Sequence, residues 1–397
     1  MARVTKTPTK RQRDVVKNPP DKILILLVFM ILAFGVIMVY SASHYHAMNM
    51  NGNPFHFVRR QGLFAVIGGV ALIIIAYIFN YRFLSNMKLA GAFYLISIVL
   101  SLSLFVIGTE TKGATRWIEL PGGITFQPSE IVKIAVIIFL SAYIVKNRAR
   151  MHQFTYVVKA FLLVVVPAGI IAVENLSSAI VVFLIGGLIL FVSTPRVWYY
   201  VVGLGLGVVA VIYAYTLATS TTMADPDPNP FLRQYRLERI RVWQDPFIDP
   251  TGSGYQPIQS LYAIGSGGVF GKGLGQGVQK LGFLPEPHND IIFAVICEEL
   301  GLVGAAFLLL AYTLLVIRGL GIAAHADDYF GALVATGISG MVGVQALINV
   351  AVNTNTIPTT GMQLPLISYG GTALLILLGC LGILANISRT SRIKKTN

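Results

Sequence analysis

Residues 23–40 read Ile-Leu-Ile-Leu-Leu-Val-Phe-Met-Ile-Leu-Ala-Phe-Gly-Val-Ile-Met-Val-Tyr, an apolar run without one charged side chain. A hydrocarbon core about 30 Å thick takes about 20 helical residues at 1.5 Å each, so this run is close to bilayer-spanning length. The basic stretch before it and Ser41-Ala42-Ser43 after it resemble a cleavable leader, but a leader's apolar core is only about 7–15 residues long. A retained first span is the expectation. Outward from it, further apolar runs follow at 63–79, 89–107, 131–145, 156–173, 179–192, 197–218, 291–317, 330–352 and 364–385. The fifth and sixth runs are short, interrupted by Pro167 and joined at Glu174-Asn175, which leaves open two spans or a broken, re-entrant pair. Either choice keeps the orientation of the other spans. The expected fold is an all-α integral membrane protein of about ten transmembrane helices. One large extracellular loop, 219–289, separates helices 7 and 8.

Composition agrees. Hydrophobic residues make up 55% of the 397 and charged residues 12%, with a mean hydropathy of +0.71. A soluble domain needs about 25% charged residues, so soluble, disordered and fibrous classes are excluded. Cys297 and Cys380 both lie in apolar runs, and no disulfide framework or cysteine metal site follows. Neither a helical His pair nor a phosphate-binding loop is present, because Gly273 follows Lys272 where Ser or Thr is needed. Hydrolysis of ATP and binding of nucleic acid are not expected, despite a pI near 9.7. The net charge of +13 has a topological explanation. With the N-terminus inside, nineteen of the thirty Lys and Arg fall in cytoplasmic segments, as the positive-inside rule requires. Both termini are then cytoplasmic: a basic tail over 1–22, a membrane domain over 23–388 and a second basic tail over 389–397. The first tail also suits contact with anionic lipid.

Ionisable residues near hydrocarbon cost several kcal/mol unless paired or hydrated, so their positions nominate sites. They collect on the external side. Lys112-Gly-Ala-Thr-Arg-Trp117 is followed by Gln127-Pro-Ser-Glu130 and Lys133; Glu130 and Lys133 share a helix face at i, i+3. Pro128 suits a helix start and Ser129 its cap. A capped helix with a local ion pair is the simpler reading, but Lys133 lies a turn inside the span, where a structural cation has little reason to be. Residues 231–243 interleave four Arg with apolar and aromatic residues, which suits an interfacial helix holding lipid headgroups or phosphate. The glycine-rich run from Gly265 to Gly282 implies backbone packed closely on a helix or a ligand. Asp290 stands where the loop enters span eight and suits equally an N-cap and a general base. Glu298 and Glu299 lie deep in that span and need partners such as Lys133 or an Arg on another helix. Asn349, Asn353 and Asn355, then Pro358 to Gly361 and Leu364 to Gly371, mark either a ligand-lining break or small-residue helix packing.

With these residues in view, the chain resembles the SEDS family (shape, elongation, division and sporulation) over residues 15–390. The matching stretches are Lys112–Trp117, Gln127–Glu130 with Lys133, Asp249-Pro-Thr-Gly-Ser-Gly-Tyr-Gln256, Phe283-Leu-Pro-Glu-Pro-His-Asn-Asp290, Glu298-Glu-Leu-Gly301 and Leu364-Pro-Leu-Ile-Ser-Tyr-Gly-Gly371. The resemblance implies a glycosyltransferase that polymerises lipid II into peptidoglycan outside the bacterial cytoplasmic membrane. It would work beside a class B penicillin-binding protein and other division or sporulation proteins. It also implies that Asp290 is the catalytic carboxylate. Trp117, Glu130, Glu286, His288 and Ser368, which stand in the matched stretches, join the expected substrate-binding set. Lys112, Arg116, Lys133 and Arg239 would neutralise the diphosphate, with room for a divalent cation, Mg2+ or Mn2+. Glu174 to Ala179 departs from the family pattern, so no catalytic role is assigned there. The tail and Val39 to Ser43 point to the division and sporulation branch. A flippase for the same lipid-linked precursor and a non-catalytic scaffold for the penicillin-binding protein are the rival readings.

Overall fold

The computed structural model describes residues 18–111, 114–120, 124–173, 175–194, isolated positions between 196 and 216, and 234–390. Nine helices among the described residues are long and apolar enough to cross a membrane: α1 Lys22–Asn51, α2 His56–Ile78, α3 Met87–Ile107, α4 Pro128–Lys146, α5 Phe154–Ala172, α6 Leu176–Ser193, then α9 Ile292–Ala324, α10 Tyr329–Asn353 and α11 Gly371–Ser388. Between α6 and α9 lie two shorter helices, α7 Gln234–Gln244 and α8 Tyr255–Gly267. The expected span over 197–218 lies mostly outside the described residues. The fifth and sixth runs form two full helices packed on each other, with α5 continuing through Pro167.

The bundle centre is built from α4, α10 and α11, whose apolar stretches are 67%, 72% and 61% buried, against 22% for α3. Polar side chains close its two ends. Asp21 caps α1 by accepting from the Leu24 N–H at 2.9 Å and pairs with Arg318 of α9 at 2.7 Å. Its own N–H reaches Ser388 of α11 at 2.8 Å, so the start of α1 and the end of α11 meet at one end of the bundle. Arg82 with Asp327 and Asp328, and Asn386 with the carbonyls that end α2, belong to the same end. The described parts of the remaining connections, 52–55, 108–111, 114–120, 124–127, 173, 175, 234–291 and 354–370, gather at the other end, called the site end below.

Helix starts differ from the expected caps at two places. Gln127 stands at the cap of α4 with Pro128 at its first position, so Ser129 lies inside the first turn and its hydroxyl faces that of Ser178 at 3.4 Å. Ile291, and not Asp290, occupies the cap position of α9. Three short strands, which the all-α expectation did not contain, precede α4: β1 Thr109–Thr111, β2 Ala114–Leu120 and β3 Ile124–Phe126, antiparallel in that order. Thr372 at the start of α11 docks β3 through the Thr125 carbonyl at 2.9 Å.

The main departure from a plain bundle is α9, broken at Gly301, where φ is 67° and ψ is −165°. A break exposes peptide groups that hydrocarbon cannot satisfy. The glycine-rich run after α8 enters the gap and satisfies them reciprocally. Lys272 and Gly273 donate their N–H groups to the carbonyls of Glu298 and Glu299, at 3.0 and 2.9 Å, while Leu302 and Val303 donate to Gly268 and Val269, at 3.0 and 3.1 Å. The distal part of the expected external loop is therefore a limb folded back against the middle of a long helix. Glu298 and Glu299, fully buried, take their cations from this limb. Lys272 pairs with Glu298 at 2.7 Å and Lys280 with Glu299 at 2.5 Å, so the partner expected in Lys133 is replaced. Sequence distance hid the pairing, because both lysines appear to sit in an aqueous loop.

Close approach accounts for Gly267, Gly271 and Gly277. A Cβ at Gly271, whose φ is +78°, would lie 2.2 Å from the Glu299 carbonyl oxygen, whereas nothing lies within 4 Å of a Cβ at Gly265. Gly271→Ala is expected to lower the free energy of unfolding by about 2 kcal/mol in a detergent titration, from left-handed backbone strain plus the clash. Gly265→Ala, inside α8, should be neutral or stabilising. Equal stability of the two variants would contradict the docked limb.

Candidate active site at the site end

Asp290 closes a loop, residues 283–290, that carries the chain from the limb into α9. Three successive carbonyls of this loop are each held by the α10–α11 region. The His288 carbonyl accepts from the Tyr369 N–H at 2.9 Å. The Asn289 carbonyl accepts from the Ser368 hydroxyl at 2.6 Å. The Asp290 carbonyl accepts from the side-chain amides of Asn349, at 2.8 Å, and Asn353, at 3.0 Å. Asn349 and Asn353 are four apart on α10 and so present both amides on one face. Each also serves a second strand of the site: Asn349 donates to the Met362 carbonyl at 2.7 Å, and Asn353 accepts from the Ala294 N–H at 3.3 Å. The position of Asp290 is thus set through its main chain.

The facing segment, 361–370, is irregular and equally well tied. Gln61 of α2 donates to the Ser368 carbonyl at 3.2 Å and accepts from the Gly370 N–H at 3.3 Å. Tyr312 of α9 donates to the Pro365 carbonyl. Leu366 adopts φ 66°, a left-handed conformation costly for a side chain with a Cβ, and its carbonyl lies so close to α1 that a Cβ at Gly35 would be 2.5 Å from it. The apolar run expected to span from Leu364 starts as a helix only at Gly371, because Pro365 and Leu366 form the wall of a cleft instead.

That cleft and the open solvent at its mouth together span about 720 Å3, between α4 and α6 on one side and the 361–370 segment with α10 and α11 on the other. Trp117, Gln127, Glu130, Gln345, Gln363 and Ser368, with Asn175 and Ser178 at the start of α6, supply its polar lining. Asp290 stands beside the cleft and not among its lining residues; Ser368, which holds the neighbouring Asn289, is common to both.

The expected site residues therefore divide. Trp117, Glu130 and Ser368 face the cleft. Lys133 is 1% exposed and lies behind Glu130, bonded to it at 2.8 Å, so the local pair is real and buried. Arg239 on α7 donates to the Thr359 carbonyl at 3.1 Å, and Trp243 bonds the Asn355 carbonyl at 3.0 Å, which places α7 over the α10–α11 connection. Glu286 shapes the Asp290 loop: it has φ 50° and accepts from the Asn289 side chain at 2.9 Å. His288 is 2% exposed among Phe57, Tyr369 and His46, with ring centroids at 4.2, 5.5 and 5.6 Å. Burial, helped by His46 and opposed by Glu286, lowers its pKa to about 4, so it is a neutral packing group at neutral pH. Lys112 lies outside the described residues; Arg116 is placed by its backbone in β2, and its side chain is outside the description. Sequence reasoning noted Asn349 and Asn353 without assigning them to the site, although two amides at i, i+4 on an apolar helix were the available signal.

Among the described residues no three His, Cys, Asp or Glu side chains converge into a cation cage. Magnesium commonly needs only one or two carboxylates when a diphosphate supplies the remaining oxygens.

Known proteins carry the same architecture. The profile of the FTSW_RODA_SPOVE family, described as cell cycle protein, matches residues 21–393. A protein of Bacillus subtilis named probable peptidoglycan glycosyltransferase FtsW is 38% identical over 93% of this chain and 90% of its own length. Stage V sporulation protein E of the same organism is 37% identical over 95% and 99%. Among solved structures, a chain from work described as structural coordination of polymerization and crosslinking by a peptidoglycan synthase complex superposes with a TM-score of 0.72. It is 28% identical, covering 93% of this chain and 98% of that one. The rod shape determining protein RodA of Thermus thermophilus follows at 0.64 and 25% identity, covering 94% and 98%. With a profile match over nearly the whole chain and relatives this similar, the chain belongs to the FtsW/RodA/SpoVE family of cell cycle proteins.

Proposed function

We propose that this chain is a peptidoglycan glycosyltransferase of the bacterial cytoplasmic membrane that polymerises lipid II, with Asp290 as its general base. The observation that carries the residue assignment is the anchoring of three successive carbonyls, 288 to 290, beside a polar cleft. A base must be held within hydrogen-bond reach of its proton, about 2.6–3.2 Å, and main-chain anchoring fixes where the side chain begins. Asp290 takes the proton from the acceptor sugar's 4-hydroxyl as that oxygen bonds to the donor's anomeric carbon. The bond to the lipid diphosphate breaks, and the diphosphate leaves with the electron pair. Attack opposite the leaving group inverts the anomeric centre; one carboxylate suffices, unlike the paired carboxylates of a retaining glycosidase.

Lys112, Arg116 and Arg239 are proposed to neutralise the leaving diphosphate, Arg239 from where it bonds the Thr359 carbonyl, while Lys133 is paired with Glu130. A Mg2+ or Mn2+ would add charge neutralisation, held by Glu130 or Asp290 together with substrate oxygens. The site end faces outwards and both termini lie in the cytoplasm, which agrees with Arg82, Arg148, Arg318 and Arg389 clustering at the opposite end. A class B penicillin-binding protein would cross-link the product, in division or sporulation. The deep carboxylates Glu298 and Glu299 are fully buried and neutralised, which disfavours a polar path for a flippase.

Two outcomes test the reading. Purified protein with its penicillin-binding partner and lipid II should form glycan strands, and Asp290→Ala should slow this by about 10²–10⁴-fold while eluting as the same monodisperse species. Retained polymerisation in that variant would refute the base. Asn353→Ala removes one carbonyl anchor and leaves the carboxylate in place; a loss of kcat of about tenfold or more is expected from misplacement alone. Parental kcat would show that the amide clamp does not matter.

A further inference from the structure

The Asp290 loop has a second attachment, on the same helix it enters. Lys280 is 5% exposed, and its ammonium bonds Glu299 at 2.5 Å and the Ser41 hydroxyl of α1 at 2.8 Å. Ser41 in turn donates to the Glu299 carboxylate, at 2.7 and 2.8 Å to its two oxygens, and the Gly275 N–H adds a further bond at 3.0 Å. This closed triad joins the limb, α9 and α1. From Ile292 to Glu299 the helix rises about 10 Å, so the triad sits about two turns from Asp290. The chain between Lys280 and Asp290 is a short loop pinned at both ends to one helix. It lies along α1, where a Cβ at Gly282 would touch Tyr45 at 3.4 Å and where His46 meets His288.

We propose that Lys280, Glu299 and Ser41 are positioning residues for catalysis, fixing where the loop starts and hence where Asp290 is delivered beside the cleft. The proposal rests on the functional reading above. Its physical motive is that a buried ion pair is a poor device for stability alone. Taking two charges out of water costs several kcal/mol each, and apolar groups of the same size often hold a core as well or better. An ion pair with a hydroxyl clasp does fix direction and register, which apolar contacts leave looser. Near its base, an active site is sensitive to misplacements of about 1 Å.

The test uses the full chain with its penicillin-binding partner and lipid II. Lys280→Met combined with Glu299→Gln removes both charges and nearly preserves volume, so neither ion is left buried without a partner. The expected result is a thermal midpoint close to that of the parent, kcat per folded protein lowered at least tenfold and KM for lipid II within about twofold. A merely stabilising pair would move the midpoint and leave kcat per folded protein unchanged. Ser41→Ala, which keeps the ion pair and removes the clasp, should lower kcat about threefold at constant KM, and it decides the matter if the double variant does not fold. Parental kcat in a folded double variant, or in Ser41→Ala when the double variant is lost, overturns the positioning role alone. A parent that makes no glycan overturns the functional reading and this inference with it.

Discussion

A helix interrupted in the middle of a membrane leaves peptide groups that hydrocarbon cannot satisfy, and this chain meets that constraint by feeding its own loop into the gap. The break at Gly301 and the limb after α8 exchange four main-chain hydrogen bonds, two in each direction. Neither partner is tolerable alone. The broken helix would expose its donors and acceptors, and the glycine-rich limb has little side-chain surface with which to stay buried. The two acidic residues just before the break then require cations, which the limb supplies as Lys272 and Lys280.

Everything at the site end is suspended from this arrangement. The limb delivers the chain to residue 283, the 283–290 loop crosses to the start of α9, and Asn349, Asn353, Ser368 and Tyr369 take up its last three carbonyls. Those four residues belong to α10 and to the irregular segment before α11, the same parts that wall the cleft. One set of contacts therefore positions both the carboxylate and the cavity next to it. The position of a side chain attached to a backbone this constrained is determined by packing that began two helical turns away.

Much of this was legible in the sequence because hydrocarbon imposes simple lengths. The apolar runs mark nine described helices, and the polar stretches at 283–290, 298–301 and 364–371, with the described part of 114–133, belong to the site end or its support. What periodicity and hydropathy missed has physical causes. Helix α1 continues to Asn51, well past its apolar run, because Ser41 and His46 face the limb and its loop instead of lipid. Leu364 to Leu366 are apolar enough to read as membrane span, yet Pro365 and the left-handed Leu366 make them cleft wall. The limb looked external because hydropathy scores Lys272 and Lys280 as water-loving, without sight of Glu298 and Glu299 about twenty residues on. Asp290 was ambiguous between cap and base, and the structure puts Ile291 at the cap position with Asp290 one residue before it.

On the proposed function, the clamped loop holds residue 290 at a lipid-linked sugar bound from the cleft. That placement is tested most directly by an experimental structure of the Asp290→Asn protein trapped with lipid II. The expected result has the sugar headgroup in the cleft beside Trp117, Glu130 and Gln363, with a sugar hydroxyl within about 3 Å of the side chain at 290 and the carbonyls of 288 to 290 still bonded to Tyr369, Ser368 and the two asparagines. A headgroup bound out of reach of residue 290, or a loop released from those partners when substrate is present, would contradict it.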